Sequence, residues 1–249
     1  MFRILLLSSF MLLNACTSLQ TPPMKSSDIN ALRSGKTAVM FYDVAGQIVY
    51  QEDTYQVLAI TTSTTQASYK GFWDINKDMS VIHANNLRGF GVNAESAYKK
   101  FAPKEIQSLK SEQKNMLEQL HKSYNEDLKT NIDILNANLR KSLVKKGYDY
   151  LVWVPFKGYS LHVRTLGLAP LEQSFMNYTI FDLKHNKLMW KGVFSSYTTI
   201  DLKGKTSKDF LERSNLRGYK SRLKTLTHLI YAEKGHGQIG VSLGFVKPN

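Results

Sequence analysis

Gly147-Tyr148-Asp149-Tyr150-Leu151-Val152-Trp153-Val154-Pro155 is the stretch on which the fold turns. After the glycine comes an apolar run of strand length, and its lack of alternation predicts a strand buried on both faces. Immediately before it, apolar residues stand at Leu109, Met116, Leu120, Tyr124, Leu128, Ile132, Leu135, Leu139 and Leu143. From Met116 onward their spacing is three or four residues, which is one face of an α-helix. Pro103 suits the first turn of that helix, where its missing N–H costs nothing. Arg140, Lys141, Lys145 and Lys146 oppose the dipole at its end, and Gly147 is a natural stop. The pattern predicts one long helix over residues 103–146.

Downstream, Phe175–Asp182 and Lys187–Thr199 flank Lys184-His185-Asn186 and read as a hairpin. A second helix is predicted within Ser207–Lys234, with Leu216, Leu223, Leu226 and Ile230 on one side and Gly218 as an interruption. The glycine-spaced tail Gly235–Phe245 reads as a last strand. Upstream, Thr37–Tyr42 and Tyr55–Thr62 are strand-like runs. Residues 63–92 read as short strands or a long loop. These elements define an α+β fold: an antiparallel or mixed sheet with the long helix (about 103–146) and the C-terminal helix (about 207–233) packed on one face.

The chain opens on Arg3, an apolar run from Ile4 to Leu13, then Leu13-Asn14-Ala15-Cys16. One positive charge and about ten mostly apolar residues have the shape of an export signal, too short for the roughly 20 residues that span a bilayer. Leu13-Asn14-Ala15-Cys16 resembles the lipobox of bacterial lipoproteins. That resemblance implies cleavage before Cys16 and acyl chains (diacylglycerol on the sulfur, a fatty acid such as palmitate on the new amino group). It divides the chain into a signal peptide (1–15), a lipidated tether (16–36) and a single periplasmic globular domain (37–249). Twenty tether residues, with Pro22-Pro23 and few apolar side chains, could reach about 65 Å. Thr17, standing where an inner-membrane retention signal carries Asp, points to the periplasmic face of the outer membrane.

Cys16 is the only cysteine, so the mature domain holds no disulfide, no thiolate metal site and no thiol nucleophile. An apolar content of 43% suits a chain that buries a core. The formal charge of +13 falls to +12 once Arg3 leaves with the signal, and residues 182–249 hold thirteen Lys or Arg against five Asp or Glu. Such an excess attracts anions. In an envelope these are lipid head groups, lipopolysaccharide and peptidoglycan carboxylates, and the expected partners are peptidoglycan, lipopolysaccharide or an envelope protein; nucleic acid is not an expected partner. Arg213, Arg217, Lys220 and Lys224 repeat at four, three and four residues, so on a helix they form one stripe, the candidate anion-binding site. An ordinary solvated face is the competing reading.

A helix ending at Gly147 and Asp149, a strand, a hairpin reading Tyr178-Thr179-Ile180-Phe181-Asp182 then Leu188-Met189-Trp190-Lys191-Gly192, and a further helix together resemble small α+β domains of Gram-negative periplasmic lipoproteins. Peptidoglycan-synthase activators, the amino-terminal domain of TolB and curli-secretion-type lipoproteins are examples. The resemblance covers roughly residues 104–233; Val44–Phe101 departs from it. It implies a binding or scaffolding domain without catalysis.

Chemistry-bearing motifs are absent from the sequence. Gly35-Lys36-Thr37 and Gly204-Lys205-Thr206 lack the upstream glycine of a P-loop, having Asn30 and Thr199 there. None of the six histidines is paired at four-residue spacing for a metal, and no Gly-x-Ser-x-Gly elbow occurs. No cofactor or metal is expected. The expectation is a non-catalytic accessory lipoprotein for a partner protein or envelope polymer; the alternatives are a peptidoglycan-cleaving hydrolase and a structural subunit of a secretion or assembly complex.

Overall fold

The computed structural model describes residues 23–44, 46–56, 59–68, 73–125, 135–164, 168–203, 206–231 and 239–245. The predicted signal, Cys16 and most of the tether lie outside them.

The both-faces-buried strand is β5 (Tyr150–Val163), in which Leu151 to Phe156 are all buried. One edge of β5 carries β6 (Leu171–Asp182), antiparallel, and β7 (Lys187–Thr199) pairs outside β6. The other edge is shared end to end by two parallel strands. β1 (Lys36–Asp43) pairs along residues 150–156, and β2 (Gln47–Gln56) along residues 159–163. A register shift between Phe156 and Gly158 falls where β1 hands over to β2. β3 (Ala59–Ser68) closes a hairpin on β2, and the short parallel β4 (Asn93–Ser96) lies outside β1. The sheet is therefore mixed and the fold α+β, as the pattern predicts. The run Tyr55–Thr62 is not one strand but spans the end of β2 and the start of β3.

Helices cover both faces, which corrects the expectation of one. Val39, Phe41, Val152 and Val154 point into one core with α1 (Ser26–Ser34), α2 (Ile75–Gly89) and the helix after β7; Ala38, Met40, Leu151 and Trp153 point into the other. That second core is closed by α3 (Pro103–Asn125) and α4 (Ala137–Lys145) through Leu109, Met116, Leu139 and Leu143. A central strand buried on both sides needs a layer on each, because alternate side chains point opposite ways.

The helix predicted over 103–146 is thus not continuous. At Asn136 the backbone is extended, and its side-chain oxygen accepts the N–H groups of Asn138 and Leu139, starting a new helix. Leu128 and Ile132 lie outside the described residues. The stop at Gly147 is as predicted. With φ at 83° it adopts the left-handed conformation that suits glycine, while Tyr148 N–H bonds back to Leu143 and Gly147 N–H to Val144.

Three other segments differ from expectation. Ser26–Ser34, read as tether, forms α1 with Ile29 and Leu32 buried, so the folded unit begins before residue 37. Residues 75–89, read as strands or loop, form α2, capped by Asp74 and tied to β1 where the Ser80 hydroxyl accepts the Phe41 N–H at 2.7 Å. The tail holds a helical turn, α6 (Ile239–Ser242), rather than a strand, with Leu243 seated in the core. No helix among the described residues is long and apolar enough to cross a membrane.

Candidate functional site

The C-terminal helix α5 (Ser207–Tyr231) lays Leu211, Tyr219, Leu223, Leu226 and Ile230 on the sheet. It is broken at Leu216, whose φ of 65° a straight helix does not contain. The bend brings Gly218 against the Phe210 carbonyl, so that a side chain there would overlap backbone. Glycine is required at 218 by close approach, which is the physical content of the interruption seen in the sequence.

The break opens a cleft of ≈620 Å³ between α5 and the chain leaving β7. Asp201 and Lys203 lie on the loop side, while Arg217, Ser221 and Arg222 lie on the helix side. A second concavity of ≈520 Å³ shares Thr199, Ile200, Asp201 and Lys203 with it and continues towards Ala169 and Pro170. At the cleft wall Arg222 Nε lies 2.9 Å from each oxygen of Glu172, and its Nη2 also donates to Oε1. Glu172 is completely buried on β6 and accepts a third bond from the Tyr159 hydroxyl at 3.0 Å. The pair raises the Arg222 pKa through its bond to Glu172, and burial beside that carboxylate raises the Tyr159 hydroxyl well above its ordinary value. The segment of α5 before the break is anchored separately, by Tyr50 donating to Glu212 at 2.7 Å.

The predicted stripe is divided by this geometry. The left-handed turn at Leu216 lies between Arg213 and Arg217, so helical spacing no longer aligns them. The Arg213 side chain lies outside what the structure describes. Arg217 is exposed, lines the cleft and has no ion-pair partner among the described residues. Lys220 instead places its ammonium 5.5 Å from the Trp73 ring centroid. Lys224 is exposed, and its charge helps burial to lower the pKa of His228. The sequence reading missed Arg222, Glu172 and Asp201. Its one available signal was Glu172, a carboxylate in phase with the core residues Met176, Tyr178 and Ile180 of β6.

Away from the cleft, the wholly buried His83 gathers the core ends of α2, β6 and α5. Its Nδ1 lies 3.0 Å from the Tyr231 hydroxyl and also bonds that of Tyr178, while its ring stacks on Phe41. Burial, with a smaller effect of His228, lowers its pKa to about 3, so the ring is neutral. It has no exposed surface on which to meet a ligand. His185 is a turn residue, as expected, held by Asp182 at 2.7 Å. Histidine 236 lies outside the described residues. Among the described residues, no three His, Asp or Glu side chains converge to hold a metal ion.

No family model matches the chain, and no curated protein matches it. Solved structures do. The hypothetical protein CT253 from Chlamydia trachomatis is 11% identical with a TM-score of 0.45, over 86% of this chain and 99% of its own. A PelC dodecamer from Paraburkholderia phytofirmans is 10% identical at 0.36, over 80% and 86%. Lipoprotein GNA1162 from Neisseria meningitidis is 10% identical at 0.33, over 78% and 99%. A lipoprotein is thus among the structures this chain is similar to, and at these scores no property of those proteins is carried over.

Proposed function

We propose that the protein is a lipoprotein anchored through Cys16 to the periplasmic face of the outer membrane, acting as a non-catalytic binding or accessory module for a partner protein or envelope polymer. The observation that carries the binding role is the cleft at the α5 break, lined by the exposed Arg217, which has no ion-pair partner among the described residues. Glu172, the buried carboxylate at that site, has both oxygens engaged by Arg222 and Tyr159, so it serves as a structural counter-ion and not as a general base. The anchor reading is supported by Leu13-Asn14-Ala15-Cys16.

Two measurements test the proposal separately. Intact mass of the protein from a bacterial host should show loss of residues 1–15 and acyl chains on Cys16; a retained leader or a bare thiol removes the anchor. Pull-down on sacculi and lipopolysaccharide, with Arg213, Arg217, Lys220 and Lys224 all changed to Ala, should show binding that weakens with salt and with the substitutions. Binding unaffected by either removes the basic surface as the docking element.

A further inference from the structure

We propose that the cleft between Asp201 and Arg217–Arg222 takes the free carboxylate end of a short peptide that also carries an ammonium group. The inference rests on the reading of the protein as a binding module and not on its membrane anchor. Four observations carry it. First, Arg222 is built in: Nε and Nη2 are fixed on fully buried Glu172, and Nη1 has no partner among the described residues, on a side chain that lines the cleft. Pre-positioning a planar guanidinium removes much of the ordering cost of gripping a carboxylate. Second, Arg217 lines the same wall five residues earlier, exposed and with no ion-pair partner among the described residues, while Asp209 of α5 also lines the cleft. Third, the loop side is acidic as well as basic. Asp201 is an exposed residue whose Oδ1 accepts the Lys203 N–H at 2.8 Å, and both residues line the cleft. A ligand with an anion and a cation a few ångströms apart answers both signs. Fourth, the cleft is not a closed pocket but runs on past Thr199 to Ala169 and Pro170, which gives an extended chain room for small apolar side chains. The strained backbone at Leu216 fits this assignment, since such residues gather at ligand sites and this one directly precedes Arg217 and Gly218 of the cleft lining.

The test is isothermal titration of the full chain with trialanine, its C-terminal amide, its N-acetyl derivative and inorganic phosphate. Two variants accompany it, Arg217→Ala and Asp201→Asn, both at exposed positions where the fold is undisturbed; Asn keeps the acceptor for Lys203 N–H. Trialanine should bind saturably at millimolar level. Amidation should weaken it about fivefold, the loss expected for one exposed charge-assisted contact. In Arg217→Ala the preference for the acid over the amide should shrink to what Arg222 alone supplies, and in Asp201→Asn the acetylated and free peptides should bind alike. No saturable binding up to about 10 mM, tighter binding of phosphate than of peptide, or a wild-type profile in Arg217→Ala each overturns the proposal. Peptide binding without sacculus binding keeps this inference while removing the envelope-polymer reading.

Discussion

Arg222 of α5 and Glu172 of β6, fifty residues apart, form a bidentate ion pair in which the carboxylate has no solvent exposure at all. The pair fixes the helix on the sheet just beyond its break and gives the cleft a rigid wall. Removing one partner differs from removing both. Arg222→Ala leaves a buried carboxylate without its counter-charge and should cost about 3–5 kcal/mol, whereas Arg222→Met with Glu172→Leu should recover most of that. Urea unfolding of the two variants checks the difference. Equal losses in both would show that the charge pairing is not what holds the helix.

Gly218→Ala tests the break itself. In an uninterrupted exposed helix this change stabilises by about 1 kcal/mol. Here the new Cβ would meet the Phe210 carbonyl, so the variant should be destabilised by more than about 2 kcal/mol. Thermal unfolding gives the sign directly, and a raised Tm would mean that α5 runs straight in solution.

His83 predicts a pH dependence. Its folded pKa is lowered to about 3 by burial, while in the unfolded chain it titrates near 6.5. Below pH 6.5 the unfolded state binds a proton that the folded state refuses, so stability is full above pH 6.5 and falls as pH drops towards 3. Between pH 6.5 and 5 the loss should reach up to about 2 kcal/mol. His83→Gln, measured by denaturant unfolding over the same interval, should flatten the slope. An unchanged slope would place its origin in other groups, His228 first, since burial lowers that pKa too.

Asp149 is the hinge pin of the predicted strand. Its carboxylate accepts the Lys36 N–H at 2.8 Å and pairs with Lys184 at 2.7 Å, and its own N–H returns to the Lys36 carbonyl. Lys184 first, and the Lys36 amide second, lower its pKa. Asp149→Ala should cost about 1–2 kcal/mol by orphaning the amide at the start of β1, while Asp149→Asn should cost less because it keeps an acceptor. The stability that Asp149 contributes is present at neutral pH and disappears as pH falls through its lowered folded pKa. Urea midpoints at neutral pH rank the variants.

Much of the fold was legible because local signals agreed with tertiary demands. The uniform apolar run 150–154, the glycine stop at 147 and the hairpin around His185 each carry their own cause and appear where predicted. What failed depended on partners distant in sequence. Helical periodicity continues across Asn136, but its side chain caps a new helix there, and spacing alone does not see a cap inside a regular pattern. Placing α3 and α4 opposite α5 required knowing that β5 is central, which follows from β1 and β2 sharing one edge. The basic stripe was drawn on an ideal helix. The left-handed Leu216 divides it, and the arginine that the fold builds into the cleft is Arg222, two positions from both Lys220 and Lys224 of the stripe.

A peptide seated in the cleft touches Asp201, Arg217 and Arg222 and nothing on the far side of the sheet. Titrating trialanine into the full chain and following backbone amides by nitrogen–proton correlation spectra gives the location. The prediction is a saturable shift confined to Asp201, Arg217, Ser221 and Arg222 and their neighbours. Shifts gathered elsewhere, as in the ≈230 Å³ concavity of Asp149, Lys184 and His185, or no shifts at all, would contradict it.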